Sequence, residues 1–203
     1  MVDRDLHHLV ARARSGHAES AGALLELYRN YLHLLARTQI DLHLERRASA
    51  SDVVQQTFLE AYRDFRQFRG ATEGELLAWL RRILLNNLSE LIEREVLTAK
   101  RDLRREVVLD DLESSAAGVE TALRSQWTSP TSRARRRETA AIVADRLAQL
   151  PDAQREVIVL RNIEGLSFEE VAQRMDRSSG AVRMLWLRAL HRLRELLREE
   201  DLL

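Results

Sequence analysis

The C-terminal segment of the chain carries basic side chains whose spacing suits contact with a polyanion. From Ser178 to Arg198, arginine recurs every few residues, against a single internal acid, Glu195. An arginine that neutralises a phosphate releases counterions and so contributes salt-dependent affinity for nucleic acid. The same charges could instead solvate a surface helix. The candidate contacts in this segment are Ser178, Ser179, Ala181, Arg183, Arg188 and Arg192.

The pattern around these residues predicts a helix-turn-helix. Ser167 and Glu170 have capping-box spacing, which predicts a short helix ending near Met175. A three-residue turn, Asp176–Ser178, precedes a longer helix that runs from Ser179 to about Arg198. In such a motif the second helix lies in the major groove, and its N-terminal residues face the base edges.

Arg183 follows the predicted turn closely and is expected to point into the groove. It could pair with a guanine or hold a phosphate. We favour the phosphate, because phosphate and sugar take half or more of protein–DNA contacts. Met184, Leu185 and Trp186 also remove the polar neighbours that would fix a bidentate geometry.

A second group of candidate residues lies in the N-terminal half. Trp79 could stack on an unpaired base, but it shares a stripe with Leu76 and Ile83, which favours core packing. Asn86 and Asn87 lie in mid-helix, where their amides could pair with base edges or face water. Phe68, near a helix end, could serve the core or a base equally well.

Four helices are predicted over the first hundred or so residues, where apolar residues recur at three and four. The first ends near Gly16, the second spans about Ser20 to His43, and the third begins at Ser49 or Ser51 and stops near Gly70. The fourth starts at another capping box, Thr72 and Glu75, which is the first of the two along the chain, and continues to about Glu95. The stripe of the second helix is Leu24, Leu27, Tyr28, Tyr31, Leu32 and Leu35, and that of the third is Val54, Phe58, Ala61, Tyr62 and Phe65.

Composition agrees with an all-α fold. The 203 residues are 45% hydrophobic but only 5% aromatic, and they include 7 glycines and 2 prolines. Periodicity weakens from residue 99 to 137, where small polar residues dominate. We therefore predict an N-terminal helical bundle over residues 1–98 and a C-terminal helix-turn-helix domain over 138–203, joined by a flexible linker over 99–137.

Several classes of protein are disfavoured by residues that are missing. The chain has no cysteine, which excludes disulfides, thiol nucleophiles and cysteine-based zinc sites. The six histidines lack the spacing of a zinc protease, and no glycine-rich phosphate loop occurs. No apolar run approaches the roughly 20 residues of a membrane span. We expect a cytoplasmic protein that is not an enzyme and that has no cofactor, no metal site and no membrane insertion.

Both halves resemble the bacterial sigma factors of RNA polymerase. The stretch Leu150–Val157, the stretch Gly165–Ala172 and the stretch Ser179–Arg183 resemble region four of that family. Ser51–Tyr62, Phe65–Gly70 and Ala78–Ile83 resemble region two. Both matches occur in the family's order in a short chain, which is typical of the extracytoplasmic-function group.

The resemblance implies partners and roles. Region two would bind the β′ clamp helices of core RNA polymerase through Asp52, Gln55, Gln56 and Glu60. It would bind and melt the −10 promoter element through Phe68, Arg69, Thr72, Trp79, Arg82, Asn86 and Asn87. Region four would bind the −35 element and the β flap, and an anti-sigma factor is a further partner that the resemblance allows. Many members carry Ser and Arg after Arg183, where this chain has Met184 and Leu185, so the family's base contacts do not transfer there.

Two other functions remain open from the residues alone. A stand-alone helix-turn-helix transcription regulator would bind promoter duplex without polymerase. An interaction or adaptor protein without DNA binding would keep its function after the arginines of the last helix were removed.

Overall fold

The computed structural model describes residues 2–43, 49–70, 72–96, 112–119, 121–122 and 135–198. Within these ranges the backbone forms helices and turns and contains no strand, so the prediction of an all-α fold is confirmed. The chain divides into two compact units, residues 1–116 and residues 117–203.

The helices of the first unit are α1 (Val2–Arg14), α2 (Ala18–Leu27), α3 (Arg29–His43), α4 (Ala50–Asp64) and α5 (Glu73–Val96). A 3-10 turn, Phe65–Gln67, continues α4. The N-terminus of α4 is capped by Ser49, whose hydroxyl accepts a hydrogen bond from the Asp52 amide at 3.3 Å. Helices α3, α4 and α5 pack against one another around leucines that are fully buried, namely Leu32, Leu35, Leu76, Leu80, Leu84 and Leu88.

The predicted capping box at the start of α5 is confirmed. The Glu75 amide donates to the Thr72 hydroxyl at 3.2 Å, and the Thr72 amide donates to the Glu75 carboxylate at 3.0 Å. Each side chain thus satisfies an amide that the first turn of a helix leaves free. This pair fixes where the long helix α5 begins.

The prediction of one helix from Ser20 to His43 is wrong, because the backbone breaks at Tyr28. There φ is −106° and ψ is 5°, and the Tyr28 hydroxyl donates to the Glu73 carboxylate of α5 at 2.9 Å. The break removes Leu27 from the predicted core stripe and leaves it 52% exposed. The rest of that stripe is buried.

The third predicted helix also differs in detail. Helix α4 ends at Asp64, before the predicted stop near Gly70, and gives way to the 3-10 turn. Tyr62, which was assigned to the core stripe, is 49% exposed. Phe65, the next member of that stripe, is buried.

A sixth helix, α6, covers residues 112–119 within the segment expected to be a linker. Leu112 and Ala116 of α6 are buried. The Gln39 amide of α3 donates to the Ser115 hydroxyl at 2.9 Å. Part of the expected linker therefore packs on the first unit; most of residues 99–137 lies outside the described residues.

The second unit consists of α7 (Arg135–Ala148), α8 (Asp152–Ile158), a π-helical turn (Val159–Ile163), α9 (Phe168–Arg174) and α10 (Ser179–Arg198). Helix α10 packs against α7, α8 and α9. Its buried face includes Val182, Ala189 and Leu193, and the opposing α9 buries Val171 and Ala172. The predicted helix-turn-helix is therefore present.

The π-helical turn was not anticipated. The Glu164 amide bonds to the Val159 carbonyl at 2.9 Å, five residues back. Gly165 has a φ of +75°, a conformation that glycine adopts without the penalty of a side chain. The Arg161 guanidinium donates to the Leu166 carbonyl at 3.0 Å and so closes this wide turn.

None of the helices in the described part of the chain is long and apolar enough to cross a membrane.

Candidate functional site

The helix-turn-helix begins at the second predicted capping box, which is also confirmed. The Glu170 amide donates to the Ser167 hydroxyl at 3.2 Å, and the Ser167 amide donates to the Glu170 carboxylate at 2.7 Å. Hydrogen bonds from Ser167 to its carboxylate lower the pKa of Glu170 below its usual 4.5. This cap fixes where α9 begins, and α10 packs against that helix.

We expect Ser167→Ala to destabilise the second unit by about 0.5–2 kcal/mol, the usual cost of losing such a cap. Because the pKa of Glu170 is lowered in the folded state, its contribution is present above pH 4.5. It is lost as the pH falls through the lowered value. The difference in urea midpoint between wild type and Glu170→Gln should therefore narrow on acidification. Thr72→Ala, which removes the capping box of α5 in the first unit, is the matched control, and it should leave the urea midpoint of the second unit unchanged. An unchanged midpoint of the second unit in Ser167→Ala would contradict the prediction.

The turn between α9 and α10 is tight. Asp176 has a positive φ of 51°, which aspartate tolerates better than most residues. The Ser178 hydroxyl accepts a hydrogen bond from the Ala181 amide at 3.3 Å, and the Ser179 hydroxyl donates to the Glu169 carboxylate at 3.1 Å. Both predicted DNA-contact serines therefore support the start of α10.

Arg183 lies against α9. Its guanidinium carbon is 5.0 Å from the centre of the Phe168 ring, and its Nη2 is 3.4 Å from Oε1 of Glu169. Hydrogen bonds from the Glu169 backbone and from the Ser179 hydroxyl lower the pKa of Glu169, and the charge of Arg183 adds to this effect. The Arg183 side chain remains 57% exposed, so it is available to a phosphate at the edge of the helix.

The other predicted basic contacts of α10 are exposed. Arg188 donates from Nε to the Met184 carbonyl at 3.3 Å. Arg192 and His191 lie 3.4 Å and 3.6 Å from the two carboxylate oxygens of Glu195. Such surface pairs contribute little to stability, so these side chains can exchange their partners for phosphates at low cost.

Trp186 anchors α10 in a way that the sequence did not indicate. Its indole N–H donates to the Asn162 side-chain oxygen at 2.8 Å. Its ring meets the Phe168 ring edge to face at 5.4 Å. By contrast, Met184 and Leu187 are 56% and 52% exposed. Of the three residues that depart from the family after Arg183, Trp186 thus packs inward while Met184 points to solvent.

In the first unit three aromatic rings form a cluster. The Phe65 and Trp79 centroids are 5.5 Å apart at nearly right angles, and Phe68 lies 5.1 Å from Trp79. Phe68 is only 6% exposed, and the Arg14 guanidinium covers its ring at 5.2 Å. This burial argues against base stacking by Phe68. Trp79 is half-buried, in agreement with the core packing that its stripe favoured.

Asn87 connects two helices. Its amide nitrogen lies 3.3 Å from the Thr57 hydroxyl and 3.4 Å from the Glu60 carboxylate, both on α4. These bonds argue for a structural role rather than base reading. Asn86 is half-buried, whereas Arg69 and Arg82 are exposed.

The predicted partner-binding residues share the exposed face of α4. Asp52, Gln55 and Gln56 are exposed. Glu60 is half-buried, and its carboxylate accepts a hydrogen bond from Gln56 at 2.7 Å as well as the bond from Asn87. Glu60 therefore contributes to the fold as well as to this surface.

The centre of this face is apolar, a feature that was not predicted from the sequence. Leu59 is 50% exposed. It lies four residues after Gln55 and three after Gln56, so the three side chains project together. The exposure of Leu59 could have been predicted from the sequence, because Leu59 falls outside the buried stripe of Val54 and Ala61. An apolar centre with a polar surround is typical of a protein-binding surface.

The chain matches two protein-family models. "Sigma-70 region 2" matches residues 24–105, and "Sigma-70, region 4" matches residues 146–195. The first unit therefore contains the whole region 2 match, and the second unit contains the whole region 4 match. The region 4 match includes α9 and most of α10.

Curated relatives match along most of the chain. The "ECF RNA polymerase sigma-E factor" of Haemophilus influenzae is 32% identical over 181 residues, which is 89% of this chain and 89% of that relative. The protein of the same name from Escherichia coli K12 is 29% identical over 89% of this chain and 88% of its own. A solved structure, CnrH in complex with the cytosolic domain of CnrY, is 26% identical and covers 95% of this chain and 97% of its own, with a TM-score of 0.36.

Proposed function

Because the chain belongs to the sigma-70 family, as an RNA polymerase sigma factor of the ECF type, we propose that its two units recognise different parts of a promoter. The protein binds core RNA polymerase and directs initiation of transcription. Sigma factors do this without bond chemistry of their own. The observation that carries the assignment is the presence of region 2 and region 4 in order along one chain.

The exposed face of α4 is the proposed surface for the β′ clamp helices of the polymerase. Asp52, Gln55 and Gln56 supply its polar side chains, and Leu59 supplies the apolar centre. Glu60 positions Gln56 through their hydrogen bond. Region 4 is proposed to contact the β flap, as the family resemblance implies.

The proposed −10 surface is smaller than the set inferred from the sequence. Arg69 and Arg82 are exposed and can reach phosphates, and Asn86 and Trp79 are half-buried. Phe68 and Asn87 support this surface from beneath through their ring and amide contacts. Thr72 caps α5, so its part in the surface is to position that helix.

The proposed −35 surface is the N-terminal half of α10. Ala181, Arg183 and Arg188 are exposed there, and Ser178 and Ser179 hold the first turn in place. Arg192 extends the basic surface one turn further. An anti-sigma factor remains a prediction from the family resemblance, and a cytoplasmic location remains a prediction from the sequence.

Run-off transcription tests this proposal. Core RNA polymerase with the chain should initiate at promoters that core polymerase alone does not use. A stand-alone regulator would instead bind promoter duplex without polymerase. An adaptor would keep its activity when the arginines of α10 are replaced, and either result would contradict the assignment.

The position of Arg183 supports a specific prediction about its contact with DNA. Its guanidinium lies at the edge of α10 beside Glu169, so we expect it to hold a phosphate. Arg183→Ala should weaken binding evenly across promoter sequences and reduce the slope of log affinity against log salt by about one. Holoenzyme affinity for wild-type and scrambled −35 duplexes, measured at two salt concentrations, tests this. A loss of preference at a single base pair would show instead that Arg183 reads a base.

A further inference from the structure

The outermost face of α10 is apolar near its N-terminus. Successive residues of an α-helix are about 100° apart, so Met184 and Leu187 lie opposite the buried residues Val182 and Ala189. Met184 is 56% exposed and Leu187 is 52% exposed. They are the only large apolar side chains of the second unit that are so exposed, among its described residues. Arg188 and His191 share this face.

The polar side chains at the start of α10 are already engaged. Ser178 caps the helix, Ser179 bonds to Glu169, and Arg183 lies between Glu169 and the Phe168 ring. Gly180, one turn before Met184, has no side chain, and a Cβ placed there would meet no other atom within 4 Å. The helix can therefore approach a partner closely at this point, and Met184 and Leu187 are the side chains that it presents.

The charges around the two apolar residues indicate what kind of partner covers them. Arg183, Arg188 and Arg192 are exposed on either side of Met184 and Leu187, and α10 contains one internal acid, Glu195. This arrangement complements a groove with anionic walls. Within the major groove, the C5-methyl group of thymine is the apolar feature of the base edges.

We propose that Met184 and Leu187 read thymine methyl groups in the −35 element. The inference rests on the proposed function, because it requires α10 to enter the major groove. At this point of the helix, apolar contact would take the place of hydrogen bonds to the base edges. Sequence preference would then come from the position of thymines rather than from guanine or adenine edges.

The test uses the full chain with core RNA polymerase. Promoter duplexes randomised across the −35 window are selected for binding, and each thymine of the selected sequence is then replaced in turn by deoxyuridine, which removes only the methyl group. We expect about a fourfold loss of affinity at one or two positions, as for burial of one methyl-sized group. In Met184→Ala or Leu187→Ala holoenzyme, the corresponding loss should disappear. Leu27 is also 52% exposed but lies in the first unit. Holoenzyme with Leu27→Ala should therefore still lose affinity when deoxyuridine replaces thymidine.

The outcomes separate the inference from the function on which it rests. If a sequence is selected but deoxyuridine binds as well as thymidine at every position, the methyl readout is wrong while the sigma-factor assignment stands. If deoxyuridine lowers the affinity of Met184→Ala and Leu187→Ala holoenzyme as much as that of wild type, other side chains read the methyl groups and the proposal is wrong. If no sequence preference emerges in the −35 window, α10 does not read DNA. Both the methyl readout and the proposed recognition of the −35 element by α10 would then be wrong.

Discussion

Replacement of Leu59 by aspartate is expected to reduce the affinity of the chain for core RNA polymerase by about 30-fold or more. Leu59 is 50% exposed on this face of α4, one helical turn after Gln55 and Gln56. A central apolar side chain that becomes fully desolvated on binding can contribute roughly 2 kcal/mol. A carboxylate in its place would also be buried without a partner, which adds to the loss. Competition binding to core polymerase measures the effect.

Leu27→Asp is the matched control, because Leu27 is exposed to nearly the same extent but belongs to α2. It should leave the affinity almost unchanged. Asp52→Arg should weaken binding as well, since Asp52 lies on the same face as Leu59. Equal losses in Leu59→Asp and Leu27→Asp would show that the effect is not specific to α4. Circular dichroism of the free variants establishes that the helices are retained.

Replacement of Phe65 by alanine is expected to destabilise the first unit by about 3–5 kcal/mol, the usual cost of deleting a buried phenyl ring. Phe65 is 1% exposed. Its ring meets both Trp79 and Phe68 edge to face, so the substitution leaves a cavity and removes two aromatic contacts. Such a loss is a large part of the total stability of a small domain. Guanidinium unfolding followed by circular dichroism measures it.

Tyr62→Ala provides the comparison for Phe65→Ala. Tyr62 is an aromatic residue three positions earlier, and it is 49% exposed. Its removal should cost far less, because about half of its surface already contacts water in the folded state. Similar losses in the two variants would contradict the view that the cluster of Phe65, Phe68 and Trp79 holds this end of the bundle together.

The features that the sequence predicted correctly depend on residues close together along the chain. Both capping boxes, Thr72–Glu75 and Ser167–Glu170, were predicted from a three-residue spacing, and both are present. The helix-turn-helix followed from the second box and the short turn after it. Local hydrogen bonds of this kind can be inferred from residue type alone.

The errors arose where partners are distant in sequence. No glycine or proline at Tyr28 indicates the helix break in the sequence. The break coincides with a hydrogen bond from Tyr28 to Glu73, 45 residues away. The contacts of Asn87 with α4 span about 30 residues. The bond between Trp186 and Asn162 spans 24. None of these pairings can be read from periodicity, and each changes the role assigned to a residue.

The π-helical turn at Val159–Ile163 is the place in the second unit where a change of chain length can be absorbed. Such a turn accommodates one residue more than an α-helical turn, so the elements beyond it keep their faces although the chain is longer. A single-residue deletion here would restore the α-helical pitch, whereas a deletion in the middle of α10 would turn the rest of that helix by about 100°. Asn162, which bonds to Trp186, lies within the wide turn, so this bond is the contact that the deletion would affect most. An alignment of close relatives should therefore show differences of length at this turn before it shows them within α10.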